Sequence, residues 1–307
     1  MSVIGIDTSN YTTSIAFFDG EGGENCSRLL PVRQGELGLR QSDAVFAHIK
    51  SLPEFSGRLF SHIQKDAITA VGVSTRPRAV EGSYMPCFMV GYSHAKLLSD
   101  ALGVPLAEVS HQQGHVAASL WSAGRMDLME ETHLAWHLSG GTTELLLVEP
   151  EGRNVKCTRI GGTTDISAGQ LIDRTGQLLE LPFPSGKHLD SLSREATGKD
   201  VFRVKCRNSE FSLSGVQNKV QQFHAASADP AETAAYALRC VAGAVYQATV
   251  QALEAYPGLS VVFSGGVASN SMLRELTATL HPVFAQPQFS TDNAMGVAVL
   301  TKRLTEE

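Results

Sequence analysis

The sequence holds no apolar run approaching eighteen residues, so a membrane-spanning helix is not expected. It opens with no basic segment and no small-residue cleavage site; Val3 to Asp7 reads as a first strand, not as a signal peptide. Paired cysteines are also missing. The five cysteines (Cys26, Cys87, Cys157, Cys206, Cys240) are odd in number and scattered, with no Cys-x-x-Cys. This argues against a disulfide frame or a thiolate zinc site and for a reducing cytoplasmic location. Positive charge is short as well: 25 Lys and Arg stand against 31 Asp and Glu, a net charge of −6. A nucleic-acid partner would therefore need a local patch or another subunit. The patch on offer is Arg203, Lys205 and Arg207, whose alternation puts three cations on one strand face. A solvated edge strand explains the same pattern.

What is present is enough for two compact lobes: 307 residues, 43% of them hydrophobic. Strands are expected at Val3–Asp7, Thr13–Phe18 and Ser27–Val32, with turns at Asp19-Gly20 and Gly22-Gly23. A helix follows over 42–64, broken at Pro53, then a buried strand at Ile68–Val73, a helix at Met85–Leu102 and a strand at Val104–Val109. His111 opens the next helix. The order then repeats, with three strands (Glu131–His137, Glu144–Val148, Val155–Ile160), helices, a strand at Ser260–Phe263 and closing helices from Ser269 and Asp292. A meander followed by helix, strand and helix, twice over, predicts a duplicated α/β architecture. The N-terminal lobe is expected over 1–125, with the helix of about 292–307 returning to it, and the C-terminal lobe over 126–291.

Three strand-end loops carry the nucleotide signal. Gly5-Ile6-Asp7-Thr8-Ser9 ends the first strand, and Leu138-Ser139-Gly140-Gly141-Thr142-Thr143 holds the same place in the second lobe. Ser264-Gly265-Gly266-Val267-Ala268-Ser269-Asn270 ends a buried strand and is expected to open a helix. Bare backbone amides at such turns can approach a phosphate without side-chain collision. One Gly-Gly alone is a structural turn; three in this order point to a two-lobe fold of the actin/sugar-kinase/Hsp70 (ASKHA) type, with nucleotide and metal in the cleft.

His111 and His115 stand four apart at a helix start, so their imidazoles share a face and could chelate one ion. His133 and His137 have the same spacing, but in a strand, where packing explains them. A zinc peptidase of the His-Glu-x-x-His kind needs Glu directly after the first His; here it is Gln112, which takes no proton.

These segments together resemble the TsaD/Gcp family, the threonylcarbamoyl-adenosine synthases once named glycoproteases, over nearly the whole chain. Ser110-His111-Gln112-Gln113-Gly114-His115 is similar to the family's His-x-Glu-Gly-His, and Ser139-Gly140-Gly141 to its Ser-Gly-Gly. Gly169-Gln170-Leu171-Ile172-Asp173-Arg174, Leu181-Pro182-Phe183-Pro184-Ser185-Gly186 with Asp190 beyond it, and Phe211-Ser212-Leu213-Ser214-Gly215 resemble three further motifs. Ser264 to Asn270 and Ser290-Thr291-Asp292-Asn293-Ala294 complete the set.

The resemblance implies transfer of a threonylcarbamoyl group from its adenylate to adenosine N6 in tRNA. It implies an iron or zinc ion on His111, His115 and Asp292. It assigns the adenylate to Leu138, Ser139, Gly140, Gly141, Thr142, Asp173, Gly186, Asp190 and Asn270, and it implies TsaB-like and TsaE-like partner subunits. Three departures stand out. Tyr11 and Thr12 occupy the catalytic place of the family's Asp-Glu pair, and a phenol and an alcohol do not act as bases at neutral pH. Thr142 replaces a His, and Gln113 and Gln170 replace glutamates. A paralogue with a changed acceptor, a carbamoyl- or phosphoryl-transferase acting on a small metabolite, and a non-catalytic nucleotide-binding scaffold remain as alternatives.

Overall fold

The computed structural model describes residues 1–31 and 39–306. The chain divides into two compact units: 1–131 with 149–157 and 292–307, and 132–148 with 158–291.

In the first unit, β1 (Ser2–Thr8), β2 (Thr12–Phe18) and β3 (Gly23–Leu29) form an antiparallel meander. The expected end of the third strand, Val32, lies outside the described residues. Helix α1 (Gln41–Phe60) leads to β4 (Ile68–Arg76), α2 (Phe88–Leu102), β5 (Leu106–Ser110) and α3 (His111–Ser122). The sheet order is β3-β2-β1-β4-β5, with β4 parallel to β1 and β5 parallel to β4. Ile4, Ile6, Val71 and Val73 pack with Leu52 and Phe55 of α1 into one core. Pro53 does not break α1: it sits inside the helix and is exposed. It deprives Ile49 of a helical bond, and Ile49 is 49% exposed, so water can take the freed carbonyl.

The second unit runs through β6 (His133–Leu138), β7 (Thr143–Glu151) and β8 (Asn154–Thr163), the last two apart from their joined ends at 149–157, then α4 (Ala168–Leu178) and α5 (Gly186–Ser193). A short hairpin of β9 (Cys206–Arg207) and β10 (Glu210–Phe211) turns at Asn208 and Ser209, both with positive φ. Then come α6 (Ser214–Ser227), α7 (Pro230–Ala255), β11 (Val261–Ser264), α8 (Ser271–Thr277) and β12 (Val283–Phe284). Its sheet reads β12-β11-β6-β7-β8-β10-β9. Stripped of the added hairpin, this is the first unit's order again: meander strands to one side, and β11 parallel to β6 where β4 is parallel to β1. Trp136 and Phe263, fully buried, centre its core under the alanine-rich face of α7.

The last helix, α9 (Met295–Thr305), belongs to the first unit and starts later than the expected 292. A Cβ on Gly296 would meet the Gly114 carbonyl at 1.9 Å, so α9 lies against the α3 backbone itself. Only glycine permits that approach.

A candidate metal centre and candidate nucleotide loops

Parallel β4 and β5 and the adjacent β1 end on the same side of the first sheet, where functional groups of α/β folds collect. Ser110 is the N-cap of α3. Its hydroxyl accepts from Gln113 N (3.2 Å) and its own N–H donates to Gln113 Oε1 (2.9 Å), a full capping box. Ser167 and Gln170 form the same box at the start of α4. The two glutamines that depart from the family pattern therefore act as structural caps, a task Gln and Glu share.

With α3 started at His111, both imidazoles face one point. His111 Nε2 and His115 Nε2 are 3.0 Å apart, and Asp292 Oδ1 lies 3.1 Å from His115 Nε2 and 3.5 Å from His111 Nε2. Ligands about 2.1 Å from one ion at 90–109° to each other would be separated by about 3.0–3.4 Å, so the three donors are spaced for a single metal. Asp292 precedes α9 and reaches the histidines because α9 packs on α3. Behind them, His111 Nδ1 lies 2.9 Å from Asp7 Oδ1, which also accepts from the Ser74 hydroxyl. Ser9 Oγ donates to Asp292 Oδ2 at 3.2 Å.

The electrostatics follow from this packing. Burial opposes a charge on His111, but the carboxylates of Asp7 and Asp292 outweigh it and raise the imidazole to about 10. Burial likewise opposes ionisation of Asp292 and Asp7; the histidines hold Asp292 well below the usual carboxylate range, and His111 lowers Asp7. A cation is thus favoured at this spot, and a metal on Nε2 would replace a proton.

Asp7 and Ser9 belong to the first strand-end loop read as a nucleotide loop, but their place beside the His–Asp cluster, and Ser74 altogether, were not expected. The signal for Asp7 was its place at the end of a loop-bearing strand; its partner became visible only once β1, β4 and β5 lay side by side. Tyr11 and Thr12 are placed differently. Thr12 is buried and opens β2, and the Tyr11 carbonyl accepts from Leu30 N at 2.7 Å. Among the described residues, neither has a hydrogen bond to the His–Asp cluster.

In the second unit, Leu138 ends β6 and residues 139–142 form a tight turn: Ser139 N donates to the Thr142 carbonyl (2.8 Å), and Thr142 N to Ser139 Oγ (3.0 Å). Gly140 and Gly141 are exposed at its tip. A Cβ on Gly169 would lie 2.5 Å from Gly140 Cα, so the start of α4 abuts the turn, and Ser167 Oγ donates to the Gly140 carbonyl (2.6 Å). Gly265, at φ 90°, leaves only 2.1 Å between a Cβ and the Leu138 carbonyl. The Gly-Gly loop does not open a helix directly: one 3-10 turn, Gly266–Ser269, intervenes before α8. The reason is Asn270, whose Oδ1 caps α8 by accepting from Leu273 N (3.0 Å) while its Nδ2 donates to Asp190 Oδ1 (2.7 Å). Arg274 steadies this loop, donating from Nε to the Ala268 carbonyl (3.1 Å) and lying over the Phe284 ring. Asp173 accepts from Ser185 N (2.8 Å) just before Gly186 begins α5, and burial raises its carboxyl. The nine expected adenylate residues thus form three knots: the 138–142 turn, Asp173 with the start of α5, and Asp190 with Asn270.

The sequence model of TsaD, tRNA N6-adenosine threonylcarbamoyltransferase, matches residues 38–299. The chain belongs to this family of transferases. A relative so named from Carboxydothermus hydrogenoformans is 30% identical over 319 residues, covering 96% of this chain and 90% of that one. Another, from Streptococcus suis, is 34% identical over 231 residues, 72% of this chain and 65% of that one. Among solved structures, HypF of T. kodakarensis has a TM-score of 0.64 at 13% identity, over 99% of this chain and 46% of that one. A ROK family glucokinase from Streptomyces griseus has 0.56 at 11% identity, over 99% and 100%. These likenesses show the fold, which is of the actin/sugar-kinase/Hsp70 type. No helix among the described residues is long and apolar enough to cross a membrane.

Proposed function

We propose that this chain transfers the threonylcarbamoyl group of threonylcarbamoyl-adenylate to adenosine N6 of tRNA, using one iron or zinc ion held by His111, His115 and Asp292. The observation that carries this reading is the convergence of two Nε2 atoms and one carboxylate oxygen within 3.0–3.5 Å, with Asp7 behind His111. Two imidazoles and a carboxylate suit zinc or iron and leave coordination positions open. A bound ion there would polarise the carbamoyl carbonyl and steady the leaving phosphate. The residues of the chain do the rest. Asp7 keeps the His111 proton on Nδ1, so that Nε2 presents its lone pair. The exposed amides of Gly140 and Gly141 suit phosphate oxygens, and the Asp173 carboxylate suits ribose hydroxyls. The N-terminal lobe, 1–125 with 292–307, would supply the metal ligands, and 126–291 the adenylate groups.

Two features favour dependence on partners in the cytoplasm, of TsaB-like and TsaE-like kind. The net charge of −6 gives weak general attraction to tRNA, and helices α1 and α2 expose Phe46, Ile49, Met89 and Leu97 to solvent. A second reading, a paralogue acting on another acceptor such as a small metabolite, is favoured by one observation: Tyr11 and Thr12 where the family carries acids. The assay that separates the two follows transfer from threonylcarbamoyl-adenylate to unmodified tRNA, with and without partner subunits, alongside elemental analysis of the purified protein. Full metal occupancy in His111→Ala would overturn the ligand assignment. Turnover absent even with partners, and restored by Tyr11→Asp with Thr12→Glu, would show that only the acids were missing; silence in that variant favours the other acceptor.

A further inference from the structure

A groove of ≈ 860 Å³ opens in the second unit between α7, α8 and the segment leading into β9. Val201 to Val204 form one wall, Met272 and Leu276 the other, and Arg239, Gly243 and Tyr246 the floor. Gly243 is the informative residue. It sits in the middle of a 26-residue helix, where glycine costs up to about 1 kcal/mol relative to alanine. A Cβ there would meet nothing within 4 Å, so no packing demand explains the missing side chain. The absent Cβ widens the floor of the groove instead.

The wall continues into the cationic run noted in the sequence. Lys199, Arg203, Lys205 and Arg207 stand against the single acid Asp200 in a chain that is acidic overall. Exposure alternates as the sequence predicts: Arg203, Lys205 and Arg207 are exposed, while Val204 is buried and Cys206 half-buried. Only the last two residues of the run, Cys206–Arg207, are sheet-paired, and 201–205 belong to no helix or strand. Among the described residues none of the four cations is ion-paired. Arg239 donates to the Asp200 backbone carbonyl at 3.3 Å, and its charge also acts on Glu232 along one face of α7. One carboxylate, Glu275, lines the far rim.

We infer that this groove and its cationic run form a docking site for single-stranded RNA, with an unpaired base in the groove and phosphates along Arg203, Lys205 and Arg207. The exposed cations fall at every second residue, so each can meet a separate phosphate of a single strand while Val204 and Cys206 turn inward. Phe202 and Tyr246 are aromatic residues of the lining, with Lys219 over one face of the Phe202 ring at 5.9 Å; such side chains suit an unpaired base, which a duplex cannot present. The choice of RNA rests on the tRNA reading above, but the site lies outside the residues assigned to metal and adenylate.

The test uses the full chain, a fluorescein-labelled single-stranded oligoribonucleotide and anisotropy over a salt series. The parent should bind at low salt, and Arg203→Ala/Lys205→Ala/Arg207→Ala should lower the log–log salt slope by about two, at about 0.7 per phosphate contact on a single strand. Gly243→Leu should extend a side chain into the groove from a position whose Cβ is unobstructed, weaken RNA at least tenfold and leave the melting temperature unreduced; Gly243→Ala should bind nearly as the parent does. The proposal is overturned by no RNA binding in the parent, by an unchanged slope and affinity in both the triple and the Leu variants, or by tighter binding to duplex RNA. A polyglutamate peptide that binds the groove more tightly than RNA also overturns it, in favour of an acidic protein partner. None of these measurements needs metal, adenylate or turnover, so their failure and failure of the transferase reading are separable.

Discussion

Replacing Asp7 by Asn changes no volume at a fully buried position, so its effect on metal binding isolates the carboxylate. Asp7 Oδ1 accepts from Ser74 and faces His111 Nδ1, while Oδ2 accepts from Ser9 N at 3.3 Å. An amide has one oxygen and cannot serve both sides. If the oxygen faces His111, the NH2 group opposes the Ser9 N–H, donor against donor. If the NH2 group faces His111, the imidazole proton moves to Nε2, where the ion needs a lone pair. Either way the histidine loses orientation and basicity. Partners of this kind typically cost 10–100-fold in metal affinity, about 1.4–2.7 kcal/mol. The measurement is competition for zinc against a chelating dye, with circular dichroism to verify the fold. A variant that binds zinc as tightly as the parent would refute the assignment of Asp7 as the residue that fixes His111.

Gly169→Ala should destabilise by about 1–3 kcal/mol in urea unfolding and weaken adenine nucleotides, because its Cβ would sit 2.5 Å from both Gly140 Cα and the Ser139 carbonyl. Unchanged stability would mean that α4 and the turn can separate at no cost. Asp165 accepts from Leu213 N (2.8 Å) and from both Ser212 and Ser214 hydroxyls, capping α6 from a distance. Burial opposes its charge, yet these bonds hold its carboxyl far below the ordinary value. Its folded value being the lower one, its stabilisation is present above pH about 4 and fades as the pH falls further. Asp165→Ala should cost about 1–2 kcal/mol at pH 7, as loss of an N-cap does, and much less near pH 2. Equal losses at both pH values would exclude the carboxylate as the cause.

The elements were legible where pattern and length agreed. The apolar strands β1, β4 and β11 and the long helix α7 declared themselves through continuous or periodic hydrophobicity. Boundaries were less so. Pro53 marked a break that the exposed side of α1 made unnecessary, and Asn270 delayed α8 by capping it. The spacing of His111 and His115 pointed to a shared face because four residues nearly complete a helical turn. No spacing could give Asp7 or Asp292, which lie 104 and 177 residues from their histidine partners and meet them only through sheet order and α9 packing. Likewise Gln113 and Gln170 read as lost acids in the sequence, and only the hydrogen bonds reveal them as caps.

The placement of α9 has a consequence for the order in which the chain is finished. During synthesis, β1 to α3 emerge first, yet the groove beside Gly114 stays open until Gly296 arrives. The second unit, ending at Thr291, is complete before the first one is. The two histidines therefore wait, through most of translation, for the carboxylate that follows. A chain cut short before Asp292 would keep both imidazoles and most of its secondary structure but lack the third donor. Metal retention would then report whether a ribosome had passed Asp292.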